Sequence, residues 1–261
     1  LYINTTNDVE KAAASKAEIK VNGLEISNGE LKASDKNLDL KDSDGTLLIP
    51  PSVTKIGAGA FSSVENLKKI VVPGTVKEIG ANAFSNNNMI EEVIIEDGVK
   101  KVGDSAFEGC TSLKQVEFPD SIESLGNNVM QSCTKLSQIR LPNKITELGT
   151  YFFANCTSLE KVELPSNLEK IGSYVFVNCP IKEITFPTKL REIGRGVFWN
   201  IKSLEKINID EVNEYFKFEN GLLLSKDKTK VYFALTSLSN INIPETVTTI
   251  VTDSFNGSEA T

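Results

Sequence analysis

Four cysteines, Cys110, Cys133, Cys156 and Cys179, are the residues whose type could do chemistry, and each follows the last by 23 positions. Four thiols suggest a zinc site or two disulfides. Zinc needs its sulfurs at about 2.3 Å from one ion. Residues that share one position of a repeat form a column instead, with about 5 Å per step and about 15 Å from first to last. One ion cannot collect ligands spread that far. A disulfide between adjacent steps would have to draw two Cβ atoms to about 4 Å. The spacing therefore points to a ladder of free thiols packed as small apolar side chains. The chain also has no histidine. That excludes a Ser-His-Asp or Cys-His site, a histidine-ligated metal and a histidine acid or base. No catalytic residue, metal or cofactor is assigned.

The remaining polar motifs are weaker. Asp42-Ser43-Asp44-Gly45 has the start of a calcium loop, but Leu40 stands where an oxygen ligand is needed and no later Glu follows, so it reads as a turn. Asn4, Asn155 and Asn256 fit the glycosylation pattern, but Asn155 abuts the buried column at Cys156. The 261 residues carry a net charge of -7, which argues against a nucleic-acid backbone as partner. There is no run of 18 apolar residues, so no membrane insertion is expected in this stretch. The chain begins Leu1-Tyr2-Ile3-Asn4, without Met or a basic and apolar leader, and reads as a mature or cut-down fragment.

The elements that position the cysteines come from one repeated unit. Val129 to Gly149 reads VMQSCTKLSQIRLPNKITELG, and Phe152 to Gly172 reads FFANCTSLEKVELPSNLEKIG. Prolines recur at Pro50, Pro73, Pro119, Pro142, Pro165 and Pro187, with Glu96 and Asp210 in the same register. Glycines recur at Gly57, Gly80, Gly103, Gly126, Gly149, Gly172 and Gly194. An aromatic position holds Phe61, Phe84, Phe107, Met130, Phe153, Phe176 and Phe198. The period is 23 except for Pro165 to Pro187, which is 22. A fixed period in this range means a solenoid. Val116 and Phe118 alternate with Glu117, as on a strand with one buried face. Pro119 has no N–H and ends that strand. Gly126 is expected to allow a turn that a Cβ would hinder. Phe107 fills the inside of the coil, and small Ala106 leaves room beside it.

Residues 1–16 read as a flexible N-terminal segment, and 17–46 as a β-rich cap that covers the first apolar face. In the cap, Asn22-Gly23 between Ile19-Lys20-Val21 and Leu24-Glu25-Ile26 predicts a hairpin, and Leu38 and Leu40 a further short strand. Residues 47–261 form the repeat domain. The next Pro after Asp210 comes 34 positions on, at Pro244. The excess predicts a β-hairpin insertion over 214–235, with apolar strands on either side of a polar turn at 225–230. Its aromatics, Tyr215, Phe216, Tyr232 and Phe233, are expected to pack it back on the coil. The repeat ends at Ser254-Phe255 without a closing cap.

The unit L-x-x-I-x-[LIF]-P-x-x-[VIL]-x-x-I-G-x-x-A-F-x-x-C resembles the leucine-rich repeats of the BspA-like, or Treponema pallidum-type, class, over roughly 47–261. The stretch Glu219-Asn220-Gly221-Leu222-Leu223, followed by Lys226-Asp227-Lys228-Thr229, resembles an interruption common in that family. The resemblance implies a leucine-rich repeat solenoid. Its right-handed stacked coils would carry a parallel β-sheet on the concave face and short turns or 3-10 helices outside. It also implies a bacterial or protist protein, secreted or at the cell surface, with adhesion among the family's roles and no catalytic motif to carry over. Met130, Glu96 and Asp210 depart from the pattern.

The concave strand face is the default binding surface of a solenoid. Its outward column is Leu48, Val71, Ile94, Glu117, Arg140, Glu163, Thr185, Asn208 and Asn242. Beside it run Lys69, Glu92, Gln115, Gln138, Lys161, Glu183, Lys206 and Asn240. Glu117, Arg140 and Glu163 alternate in sign and read as a cross-strand ion ladder. Leu48, Val71 and Ile94 form an apolar patch, which either marks a partner site or lies under the cap or the N-terminal tail. The functional expectation is a non-catalytic, extracellular or cell-surface interaction module that adheres to a protein or glycan ligand. The alternative is a rigid spacer within a larger surface protein.

Overall fold

The computed structural model describes residues 19–21, 24–33 and 45–257. Residues 1–16, the Asn22-Gly23 turn, the Leu38/Leu40 strand and Asp42-Asp44 lie outside them. The described chain is a stack of coils held by two parallel ladders. One ladder is built from the longer strands β4 (Thr46–Leu48), β6 (Lys69–Val72), β8 (Glu92–Ile95), β10 (Gln115–Glu117), β12 (Gln138–Arg140), β14 (Lys161–Glu163), β16 (Glu183–Phe186) and β18 (Lys206–Ile209). The other uses two-residue strands that end just before the repeat glycine: β5 (Lys55–Ile56), β7 (Glu78–Ile79), β9 (Lys101–Val102), β11 (Ser124–Leu125), β13 (Glu147–Leu148), β15 (Lys170–Ile171) and β17 (Glu192–Ile193). Pairing is parallel and in register, for example Leu47 with Ile70 and Ile56 with Ile79. Tight turns join the strands, and no helix of any kind occurs among the described residues.

The repeat positions explain the core. Phe61, Phe84 and Phe107 stack with centroids 5.2 and 5.5 Å apart, and Phe153, Phe176 and Phe198 continue the stack at 5.8 Å per step. Met130 interrupts it. The neighbouring small position is Ala60, Ala83 and Ala106 in the first coils, then Val129, Phe152, Val175 and Val197, all buried. Phe152 meets Phe153 edge-on at 4.6 Å.

The repeat glycines have a different reason from the one expected. Gly126 does not take a left-handed backbone. A Cβ there would lie 2.6 Å from the Asp104 amide nitrogen of the preceding coil, so close coil-to-coil approach excludes a side chain. Left-handed backbone falls instead on two other columns, which include Asn128, Tyr151 and Tyr174 in one and Ser132, Asn155 and Asn178 in the other. Asn tolerates this conformation well; a bulky Tyr does not.

At the N-terminal end, β1 (Ile19–Val21), β2 (Leu24–Ser27) and β3 (Glu30–Ala33) are antiparallel, with Val21 opposite Leu24. A second hairpin turn, Asn28-Gly29, has φ of 50° and 78°, the same Asn-Gly chemistry as 22–23. Strand β3 then pairs in parallel with β5, so these strands extend the short ladder.

The insertion is larger than a hairpin. Strands β19 (Phe216–Glu219), β20 (Leu222–Ser225) and β21 (Lys230–Ala234) form a three-stranded meander, because Asn220-Gly221 turns the chain a first time at φ of 50° and 76°. β21 pairs with β22 (Thr249–Ile250) of the last coil. Phe216 and Phe233 are buried and Tyr232 half-buried, as expected of aromatics that pack back, whereas Tyr215 is exposed.

Candidate binding face

The long ladder is not continuous. Hydrogen-bonded pairing groups β4-β6-β8-β10, then β12-β14, then β16-β18. Elsewhere amides at the strand entrance donate to one carbonyl of the coil before: Glu91 and Glu92 to Lys68, Glu160 and Lys161 to Ser137, Glu205 and Lys206 to Lys182, and Lys114 alone to Glu91. Among the described residues, Ser137 and Gln138 make no such bond to Lys114, nor do Lys182 and Glu183 to Glu160. The second opening coincides with the one short repeat. Three residues, rather than four, lie between Cys179 and the start of β16. The first coincides with Met130, and there the short ladder also parts, between β11 and β13.

Two clefts lie at these openings, and a third lies where the ladder meets the insertion. The first, about 370 Å³, lies between β10 and β12 and is lined by Gln115, Glu117, Gln138, Arg140, Lys161 and Glu163 among others. The second, about 800 Å³, lies between β14 and β16, with Lys161, Glu163, Glu183 and Thr185 on its walls. The third, about 880 Å³, lies between β18 and β19 and shares Thr185 with the second.

Most of the expected outward column occupies this face. Glu117, Arg140, Glu163 and Thr185 are exposed and Asn208 is half-buried. Leu48 is 42% exposed, while Val71 and Ile94 are half-buried beside it. Cover by the cap or the N-terminal tail was one of the two readings of this patch; the described cap strands join the short ladder, and residues 1–18 and 34–44 lie outside the described residues. Asn240 and Asn242 fall outside the ladder, because residues 239–243 form no strand.

The expected Glu117–Arg140–Glu163 ion ladder does not form. Arg140 Nη2 reaches Asp120 Oδ2 at 3.2 Å, Lys161 Nζ meets Glu163 Oε1 at 3.1 Å on its own strand, and Gln115 Nε2 donates to Glu117 Oε1 at 2.8 Å. The opening between β10 and β12 separates Glu117 from Arg140, and the long guanidinium takes the nearer turn carboxylate. Asp120 also accepts from the Asn143 amide at 3.0 Å; that bond first, and Arg140 second, hold its carboxyl below the usual range. Asp120 was not singled out from sequence. Its place right after Pro119, at a strand end, was the available signal.

The cysteines are free and buried. Each thiol donates to the aromatic-position carbonyl of the preceding coil: Cys110 to Phe84 at 3.2 Å, Cys133 to Phe107 at 3.3 Å, Cys156 to Met130 at 3.1 Å and Cys179 to Phe153 at 3.1 Å. Burial pushes Cys110 and Cys156 up to about 12, and Cys133 and Cys179 well above the usual thiol value. They stay protonated and are neither nucleophiles nor ligands. Asn87 occupies the same column one coil earlier, and its amide donates to the Phe61 and Phe84 carbonyls at 2.7 and 2.8 Å. Among the described residues, no group of three or more acidic or sulfur side chains is placed to hold a metal, and no helix is long and apolar enough to cross a membrane.

A coil stack that fixes its inner columns and varies one exposed row per strand defines a leucine-rich repeat scaffold. The chain belongs to the family described as "BspA type Leucine rich repeat region (6 copies)", whose model matches residues 45–160, 80–205 and 131–261. No curated protein matches it. Among solved structures, it is similar to a leucine-rich cell surface protein from Faecalibacterium prausnitzii at 23% identity and a TM-score of 0.80, covering 93% of this chain and 68% of that one. It is similar to the pneumococcal vaccine antigen PcpA at 20% identity and 0.63, covering 94% and 63%. It is also similar to a T. pallidum leucine-rich repeat protein at 22% identity and 0.56, covering 70% and 87%. The chain thus spans about two thirds of the first two.

Proposed function

We propose that the chain is a non-catalytic interaction module of an extracellular or cell-surface protein, and that its long-strand face takes a protein or glycan ligand. The observation that carries this is the row Glu117, Arg140, Glu163, Thr185 and Asn208. These side chains differ from coil to coil, face the clefts and contribute nothing to the buried columns. Repeat proteins keep the residues that pack and vary those that recognise. The buried, protonated thiols and the missing histidines support the non-catalytic part of the reading. Two of the structurally similar proteins are described as a cell surface protein and a vaccine antigen, which supports the location.

The test is a panel of matrix proteins, microbial cells and glycans probed with the wild type and with a Glu117→Ala/Arg140→Ala/Glu163→Ala variant. Binding that the variant loses is expected. Equal binding by both would remove this face from consideration.

A further inference from the structure

The three clefts share walls. Lys161 and Glu163 line both the first and the second, and Thr185 and Asp210 both the second and the third. They therefore form one trough that crosses the strands from β10 to β18, along the stack. We propose that this trough binds a linear, uncharged polysaccharide laid along the solenoid axis; this rests on the interaction-module reading and names its ligand class.

Three observations select that class. The first is charge. Seven basic and six acidic side chains line the three clefts, so the trough is close to neutral. Attraction of a polyanion needs clustered charge of one sign. Here the opposite charges already pair with each other, as in Lys161–Glu163 and Lys206–Glu183. The second is the missing anchor. Tight protein interfaces centre on a desolvated aromatic or Arg set in apolar surroundings. None of the exposed large apolar side chains lines the trough; Tyr151 and Tyr215 lie elsewhere. The floor offers half-buried Leu164 and Ile209 and, in the third cleft alone, half-buried Phe218. A pyranose fits such a floor, with C–H faces over aliphatic carbon and hydroxyls toward the polar walls.

The third is the supply of directional hydrogen-bonding groups. Ser137 and Gln138 at one opening, and Lys182 and Glu183 at the other, have backbone N–H groups without the coil-to-coil bond made elsewhere. A backbone donor without a protein partner needs water or a ligand. Gln115, Gln138 and Asn208 add amides beside them. The polar pairs repeat once per coil, about every 4.8 Å, so the matching ligand is a polymer with a regular repeat.

The experiment measures binding of the whole chain to neutral linear glucans and xylans of increasing length. Sulfated and uronic-acid polymers and a matrix-protein panel run in parallel, each repeated with Arg140→Ala/Glu163→Gln and with Lys161→Ala/Thr185→Ala. Thermal unfolding confirms that the variants remain folded. The expected result is binding to a neutral polymer that tightens with length and levels off once the chain spans the trough, about 20 Å at 4.8 Å per step. Each variant should weaken it at least about tenfold, or about 1.4 kcal/mol. Binding only to anionic polymers would overturn the proposal. So would binding only to a protein, lost in the same variants, although the interaction-module reading would then stand. No binding, or binding that neither variant changes, sinks both.

Discussion

The coils before Gly126 and the coils after it follow one repeat but are closed differently. In the first group the outward column is aliphatic on three of the four strands and ends in Glu117 on β10. Leu48, Val71 and Ile94 stand directly opposite one another, Lys69 Nζ reaches Glu92 Oε2 at 2.7 Å alongside, and the ladder runs unbroken through four strands. In the second group the same positions are polar or charged and the ladder parts twice. Aliphatic neighbours across strands support a sheet, and polar ones also stand opposite one another in the closed β12–β14 and β16–β18 steps. This gives the apolar patch a structural explanation, as the outer seam of a closed ladder. The proposed recognition face lies in the half where the ladder parts. If that division is right, the second half should fail first when the inner columns are attacked, and only the second half should respond to changes on its face.

The strongest challenge is alkaline pH, because three of the four thiols, Cys133, Cys156 and Cys179, lie after Gly126. Burial raises each of them, Cys110 and Cys156 to about 12. A thiol with a raised folded pKa contributes fully below its unfolded value near 8.5, and that contribution is lost as pH climbs toward the folded value. Stability should therefore fall above about pH 8.5 by about 1.4 kcal/mol per thiol per pH unit. Urea midpoints between pH 7 and 10.5 measure this, and Cys133→Val should remove about a quarter of the slope. An unchanged slope would show that other groups control the alkaline limit.

Next in size is Phe107→Ala. Phe107 is buried, stacks on Phe84 at 3° between ring planes, and is the last ring before Met130. The loss should be about 3–5 kcal/mol by denaturant unfolding. It should also loosen the coil step that both ladders already leave open. A loss below about 1 kcal/mol would mean that the Met130 gap relaxes to fill the cavity.

What could be read from the residues follows the same division. The period, the Phe stack and the thiol column were legible because packing repeats the same residue types at the same place. The free ladder followed from spacing alone, and the structure adds only the S–H donation to a carbonyl. Asn87 was missed because its type breaks the column while its hydrogen bonds do the same work. The openings at β12 and β16 were not legible. Whether Ser137 bonds to Lys114 depends on the distance between coils, which no residue type announces; the two openings coincide with Met130 and with one missing residue after Cys179. Nor was Arg140's choice of Asp120 over Glu163, although Arg140 and Glu163 are in register, because a long guanidinium samples several carboxylates and takes the one with the best geometry. The Asn28-Gly29 and Asn220-Gly221 turns carried a plain signal that the larger repeat overshadowed.

A smaller effect tests the openings directly. The Ser137 and Gln138 amides should exchange with solvent faster than the Glu91 and Glu92 amides, which donate to Lys68 at 2.8 and 3.4 Å. The expected difference is at least about tenfold, or about 1.4 kcal/mol in local opening. Equal protection would show that the ladder closes in solution.

The smallest expected change in stability is also the most discriminating one. Glu117→Val with Arg140→Val would continue the aliphatic column of Leu48, Val71 and Ile94 across the first opening. Both side chains are exposed, and the Arg140–Asp120 pair at 3.2 Å is more than half solvent-exposed on the arginine side, so its loss should cost little. A cross-strand aliphatic pair contributes about 0.2–1 kcal/mol. The double variant should therefore be as stable as the wild type or slightly more so. It should also protect the Ser137 amide and lose whatever ligand the face binds. If the variant gains neither protection nor stability, the opening is set by Met130 and the core, and the outer residues only follow it. If it gains both and still binds, the ligand does not use this cleft. Either result separates two causes: an opening set by the core, and one set by the residues on the outer face.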